Sequence, residues 1–177
     1  MVEKLGAGAL PGVTRLYLLM PVGDEAGASA LAAALDRGAL PRLKVLALSN
    51  AAIGDAGLAA LAPALRWWPA LESLSLWGNP IGDEGLAALV APPPLAGALP
   101  LVVGGLEELV SLSFECTQIT DVGCAVLVEA LESGALPALR NLDLDGVPAS
   151  AVAKEAAQAA LARSQSDSPL SEVRRLS

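Results

Sequence analysis

Five leucines, Leu16, Leu46, Leu74, Leu112 and Leu142, stand at intervals of 30, 28, 38 and 30 residues, and each is followed two positions later by Leu18, Leu48, Leu76, Phe114 or Leu144. A near-constant period of this length means a chain built from copies of one supersecondary unit, which constrains the fold more than composition does. The clearest copy is LESLSLWGNPIGDEGLAAL, residues 71–89. Leu71, Leu74 and Leu76 predict a short strand, Asn79 and Pro80 turn the chain, and Gly85 opens a helix whose Leu86 and Leu89 point inward. One such unit cannot bury its own apolar face, so copies must stack on both sides of it.

The other copies follow the same order. In the second, Leu43, Leu46 and Leu48 form the strand, Ile53 sits at the turn, Asp55 and Gly57 lead into the helix, and Leu58, Leu61 and Leu65 face inward. In the fourth, Leu109, Leu112 and Phe114 are followed by Ile119, Asp121 and Gly123, and Cys124 takes the position of Leu58 and Leu86, which reads as a small core residue. The fifth has Leu139, Leu142 and Leu144, then Val147, Pro148 and Ala149 in place of the Ile-Gly-Asp turn, and an alanine-rich helix over about residues 150–163. Asp55, Asp83 and Asp121 recur two residues before a glycine at helix starts, where a carboxylate accepts from unpaired N–H groups and opposes the helix dipole; this reads as capping of each helix, ahead of a metal or catalytic series.

The long third interval marks an insertion at about residues 91–105, carrying Pro92, Pro93, Pro94 and Pro100. Residues 85–106 are uncharged over about the length of a membrane span, but prolines at the centre would strip a lipid-facing helix of backbone hydrogen bonds. The sequence therefore divides into a leader or degenerate repeat end over 1–13, a repeat domain over 14–163, and a polar, disordered tail over 164–177. Of Trp67 and Trp68, one is expected to plug the approach to the third strand, as Leu40 and Leu106 do in neighbouring copies.

A net charge of −8 with no histidine disfavours nucleic acid and anionic membrane as partners, since both require a basic face. Two cysteines are too few for a disulfide framework or a four-ligand zinc site, and reduced thiols with no secretory signal predict a cytoplasmic or nuclear protein. No histidine is available as a general base and neither cysteine has a base partner, so no catalytic, cofactor or metal site is expected.

With its Leu-x-x-Leu-x-Leu strand and its Ile-Gly-Asp-x-Gly-Leu turn into a helix, the chain resembles the ribonuclease-inhibitor-like subfamily of leucine-rich repeats, a group that includes the repeat regions of Ran GTPase-activating protein and NOD-like receptors. The resemblance implies an α/β solenoid, a horseshoe segment of about five strand–helix repeats with a parallel sheet on the concave face and helices on the convex face. The family's turn asparagine is present only at Asn79; Pro21, Ala51 and Thr117 hold the matching sites, so the turns should be less uniform than in a long array. No cap with a polar outer face is evident, which implies a monomer closed by its final helix or part of a larger array.

Between inward leucines, side chains point out of the sheet. This gives two columns, Tyr17, Ala47, Ser75, Ser113, Asp143 and Leu19, Ser49, Trp77, Glu115, Asp145. The expected partner-binding residues are Tyr17, Ser49, Ser75, Trp77, Ser113, Glu115, Asp143 and Asp145, with Trp77 as anchor and the three carboxylates favouring a protein with a basic surface. The function read from this is a non-enzymatic protein–protein interaction scaffold. The alternative is a regulatory module or fragment of a GTPase-activating protein or a NOD-like receptor-type recognition domain.

Overall fold

The computed structural model describes residues 12–18, 25–36, 40–66, 68, 70–90 and 106–166. Strands and helices alternate through them: β1 (Arg15–Tyr17), α1 (Glu25–Asp36), β2 (Val45–Ala47), α2 (Asp55–Arg66), β3 (Ser73–Ser75), α3 (Asp83–Val90), β4 (Ser111–Ser113), α4 (Asp121–Glu132), β5 (Asn141–Asp143) and α5 (Ala151–Ser166). The strands form one parallel sheet in chain order, and each helix packs on its neighbours in sequence. Leu16, Leu46, Leu74, Leu112 and Leu142 are direct partners across the sheet, so the periodic leucines set the register. Pairing continues beyond the strands, with Asn50, Gly78 and Cys116 N–H donating to Trp77, Glu115 and Asp145 carbonyls at 2.9, 2.9 and 2.8 Å.

The core is a narrow, mainly aliphatic column. Leu48, Leu76, Phe114, Ile53, Ile81, Ile119, Leu58, Leu86 and Cys124 are all buried, and Cys124 fills the leucine position expected of it. Burial, then nearby carboxylates, raise the Cys124 thiol above its ordinary pKa, which keeps it protonated and unreactive. Trp68 is the buried plug, and its Nε1–H donates to the Leu40 carbonyl at 3.2 Å; Trp67 and the insertion at 91–105 lie outside the described residues.

The recurrent aspartates serve the helix start of the following repeat, a correction to the assignment within one copy: Asp55 caps that helix directly, whereas Asp83 and Asp121 hold the capping residues Thr120 and Ser150, whose hydroxyls accept from the Val122 and Ala153 N–H. Asp55 Oδ1 accepts from Gly82 and Gly85 N–H at 2.7 and 2.9 Å. Asp83 accepts from the Thr120 N–H at 2.9 Å and its hydroxyl at 2.6 Å, and Asp121 accepts from the Ser150 N–H at 2.6 Å and its hydroxyl at 2.9 Å. The glycine two residues after each aspartate explains the reach. A Cβ on Gly85 would lie 2.5 Å from Asp55 Oδ1, and one on Gly123 would overlap Asp83 Oδ1. Aspartate and glycine are therefore one device spread over two repeats.

Asn79 joins repeats in the opposite direction. Its Oδ1 accepts from Ala51 and Ile53 N–H, both at 3.0 Å, and its Nδ2 donates to the Leu48 and Leu76 carbonyls at 2.6 and 2.8 Å. Thr117 at the matching site only donates to its own repeat's Phe114 carbonyl at 2.7 Å, so the turns are non-uniform as expected. Four residues after Leu46, Leu74, Leu112 and Leu142 the backbone is left-handed, at Asn50, Gly78, Cys116 and Gly146, with φ of 52°, 68°, 56° and 69°. Glycine accepts that conformation freely and Cys116 does not. Helix α5 continues to Ser166, past the end expected near Arg163, and residues 167–177 lie outside the described part of the chain.

Candidate functional site

The sheet register turns the two sequence columns into rows. Tyr17, Ala47, Ser75, Ser113 and Asp143 are direct cross-strand partners. The backbone bonds beyond the strands align Ser49, Trp77, Glu115 and Asp145 in the same way. Neighbouring strands are about 4.8 Å apart, so Trp77 and Asp145, two repeats apart, stand about 10 Å from each other along the row.

Exposure follows the alternation. Leu74 and Leu76 are buried while Trp77 is 39% exposed, a large aromatic ring left partly in solvent by an otherwise small-residue surface. Tyr17, at 57%, is more exposed, because it stands on the edge strand β1. Ser49, Ser75, Ser113 and Glu115 are half-buried, and Asp143 and Asp145 are exposed. Ala47 is buried and presents no contact surface, and Leu19 lies outside the described residues. The eight expected residues thus occupy two neighbouring rows of one sheet face, aromatic toward β1 and β3, anionic at β4 and β5.

Two of the polar side chains also serve the backbone. Asp143 Oδ1 accepts from the Asp145 N–H at 3.0 Å, and Ser113 Oγ accepts from the Glu115 N–H at 3.4 Å. Each turns toward the residue two positions on, which fixes the direction in which Glu115 and Asp145 leave the sheet. Beside β5, an open groove is lined by Asp143, Asp145, Lys154, Glu155 and Gln158 together with Leu142 and Leu144. Among the described residues no group of three His, Cys, Asp or Glu could hold a metal ion.

Sequence reasoning missed several residues that organise the solenoid. Arg66, in the last turn of α2, donates Nε–H to the Leu89 carbonyl at 3.0 Å and an Nη2–H to Ala88, satisfying the C-terminal end of α3. Burial lowers its pKa from the ordinary arginine value without removing its role as a cation at a negative dipole end. Lys154, Gln158 and Gln165 of α5 donate to the carbonyls of Val147, Leu142 and Arg140 at 2.9, 2.8 and 3.2 Å.

No helix among the described residues is long and apolar enough to cross a membrane. A profile of the family described as Leucine Rich repeat matches residues 40–62 and 69–90, the second and third copies. No curated protein matches the chain. Among solved structures, the one titled "Leiomodin-1 Actin-Binding Site 2 (ABS2)" is similar with 19% identity and a TM-score of 0.63, covering 99% of this chain and 95% of that one. The tropomodulin C-terminal domain of Caenorhabditis elegans is similar with 16% identity and a TM-score of 0.66, again covering 99% of this chain and 95% of that one. Five parallel strands in chain order and five alternating helices among the described residues, together with these likenesses, give the chain the fold of an α/β leucine-rich repeat solenoid.

Proposed function

We propose that the chain is a non-enzymatic interaction scaffold that binds a protein partner on the concave sheet face. The observation that carries the proposal is the pair of aligned rows, with Trp77 partly exposed, Glu115 and Asp145 about one strand spacing apart, and Asp143 two residues before Asp145 on the same strand. A rigid sheet presents these side chains with little loss of freedom on binding, and a desolvated tryptophan contributes about 2 kcal/mol or more. Carboxylates on neighbouring strands repel one another mildly in water and attract Lys or Arg from a partner, so the surface suits a protein with a basic patch. The free cysteines Cys116 and Cys124 favour the cytoplasm or nucleus. The Ile-Gly-Asp-x-Gly-Leu turns favour the ribonuclease-inhibitor-like subfamily.

The test is affinity capture from the source cell's lysate with the native chain beside a variant carrying Trp77→Ala, Glu115→Lys and Asp145→Lys, both checked for fold by circular dichroism. Actin is included as a purified probe because one similar solved structure is titled an actin-binding site. A partner held by the native chain and lost by the variant supports the proposal. The same proteins on both, with both folded, would overturn it. Stimulation of GTP hydrolysis in a panel of small GTPases would instead favour the regulatory alternative.

A further inference from the structure

Every internal repeat passes one carbonyl at its strand entrance to the next. Thr14 O accepts from Lys44 and Val45 N–H at 2.8 and 3.0 Å, Lys44 O from Glu72 and Ser73, Glu72 O from Val110 and Ser111, and Val110 O from Arg140 and Asn141 at 2.8 and 3.0 Å. Arg140 is the matching residue of the last described repeat, 30 positions after Val110. Its carbonyl accepts from a side chain, the Gln165 Nε2 of α5, at 3.2 Å. The same substitution occurs within β5. Asp143 O accepts from Phe114 N–H of the β4 repeat at 2.9 Å, so by the alternation of a strand Leu142 O faces away from the sheet, where it accepts from Gln158 Nε2 at 2.8 Å. Further along, Lys154 Nζ–H donates to Val147 O at 2.9 Å.

Lys154, Gln158 and Gln165 fall within about 40° of one another around a helix that turns about 100° per residue. They form one polar stripe laid along the edge of the sheet, beside the buried Ala157, Ala160 and Leu161 that anchor the helix. An edge strand ordinarily offers unpaired groups as a template for a further strand. Here two of the outward carbonyls, those of Arg140 and Leu142, are already occupied by carboxamide groups, and Lys154 serves the turn that follows.

We propose that this stripe of α5 is an edge cap, whose side-chain N–H groups replace the backbone amides of a sixth strand and keep β5 from pairing with a strand of another chain, a second copy included. The proposal is independent of the concave-face reading, since no residue of the Trp77 row takes part.

The test compares the intact chain with a Gln158→Ala, Gln165→Ala variant by sedimentation across a wide concentration range, with amide hydrogen exchange on whatever assembly forms. The expected result is self-association tighter by at least about tenfold in the variant, with new protection at β5 amides. A pair of Gln158→Asn and Gln165→Asn, which keeps both amides but shortens each by one methylene, is read by the same criteria where the alanine pair fails to fold. Unchanged association in a folded variant, association without protection at β5, or an intact chain that already associates through β5 would each overturn the proposal.

Discussion

Replacing Asn79 by alanine removes one carboxamide that serves two repeats at once. Its Oδ1 satisfies Ala51 and Ile53 N–H, and its Nδ2 satisfies the Leu48 and Leu76 carbonyls, all within 3.0 Å. The side chain is 2% exposed, so water cannot take over these groups without entering the core. Four hydrogen bonds at a net value of about 1 kcal/mol each put the loss at about 4 kcal/mol, with cavity formation adding to it and local relaxation subtracting. That is a large share of the roughly 5–15 kcal/mol by which a domain is ordinarily stable. The internal control is Thr117→Val at the matching site, which removes one bond to the Phe114 carbonyl and should cost about 1 kcal/mol. Equilibrium urea unfolding followed by circular dichroism, extrapolated linearly to water, gives both values. A loss in Asn79→Ala no larger than in Thr117→Val would refute the claim that this one side chain binds the second and third repeats together.

Other substitutions probe the same joints. Gly123→Ala should destabilise by about 1–3 kcal/mol despite the better helix propensity of alanine, because the new Cβ overlaps Asp83 Oδ1 and lies 2.7 Å from Ile119 Cγ2; thermal melts against a mid-helix exposed control read it. Cys116→Gly should raise the urea midpoint, since relieving a left-handed residue at φ 56° gains about 1–2 kcal/mol while glycine's extra unfolded freedom takes back about 0.5–1. Asp121 is held below its usual 3.8 by bonds from the Ser150 N–H first and then its hydroxyl. Folding therefore favours the ionised carboxylate, and that contribution is present above pH 3.8 and lost as pH falls through the lower folded value. Asp121→Asn should accordingly flatten part of the decline in stability below that pH, measured by urea unfolding at a series of acid pH values.

How much of this was legible in the sequence depends on the range over which each residue acts. Leu16, Leu46, Leu74, Leu112 and Leu142 declare the register because inward packing depends on local alternation, and the same alternation places Trp77, Glu115 and Asp145 on the outer face. The Asp-x-Gly pairs were visible, but their partners lie in the following repeat, 27 to 37 residues on, and a one-dimensional reading assigns a cap to the nearest helix. The left-handed turn had a usable signal, since Gly78 and Gly146 stand four residues after strand leucines, yet Asn50 and Cys116 at the same site obscured it. Gln158 and Gln165 gave none, because a glutamine on a polar helix reads as solvated until an edge carbonyl is seen beside it.

The most direct measurement of the central claim, that a partner sits on the concave sheet, is site-specific photocrosslinking of the captured complex. A photoreactive residue is placed at Ser75, in the first row and two residues before Trp77, or at the exposed Ala59 on α2 of the convex side. The account predicts a crosslink to the captured partner from position 75 and none from position 59. A crosslink from position 59 alone would contradict it and move the binding surface to the helices.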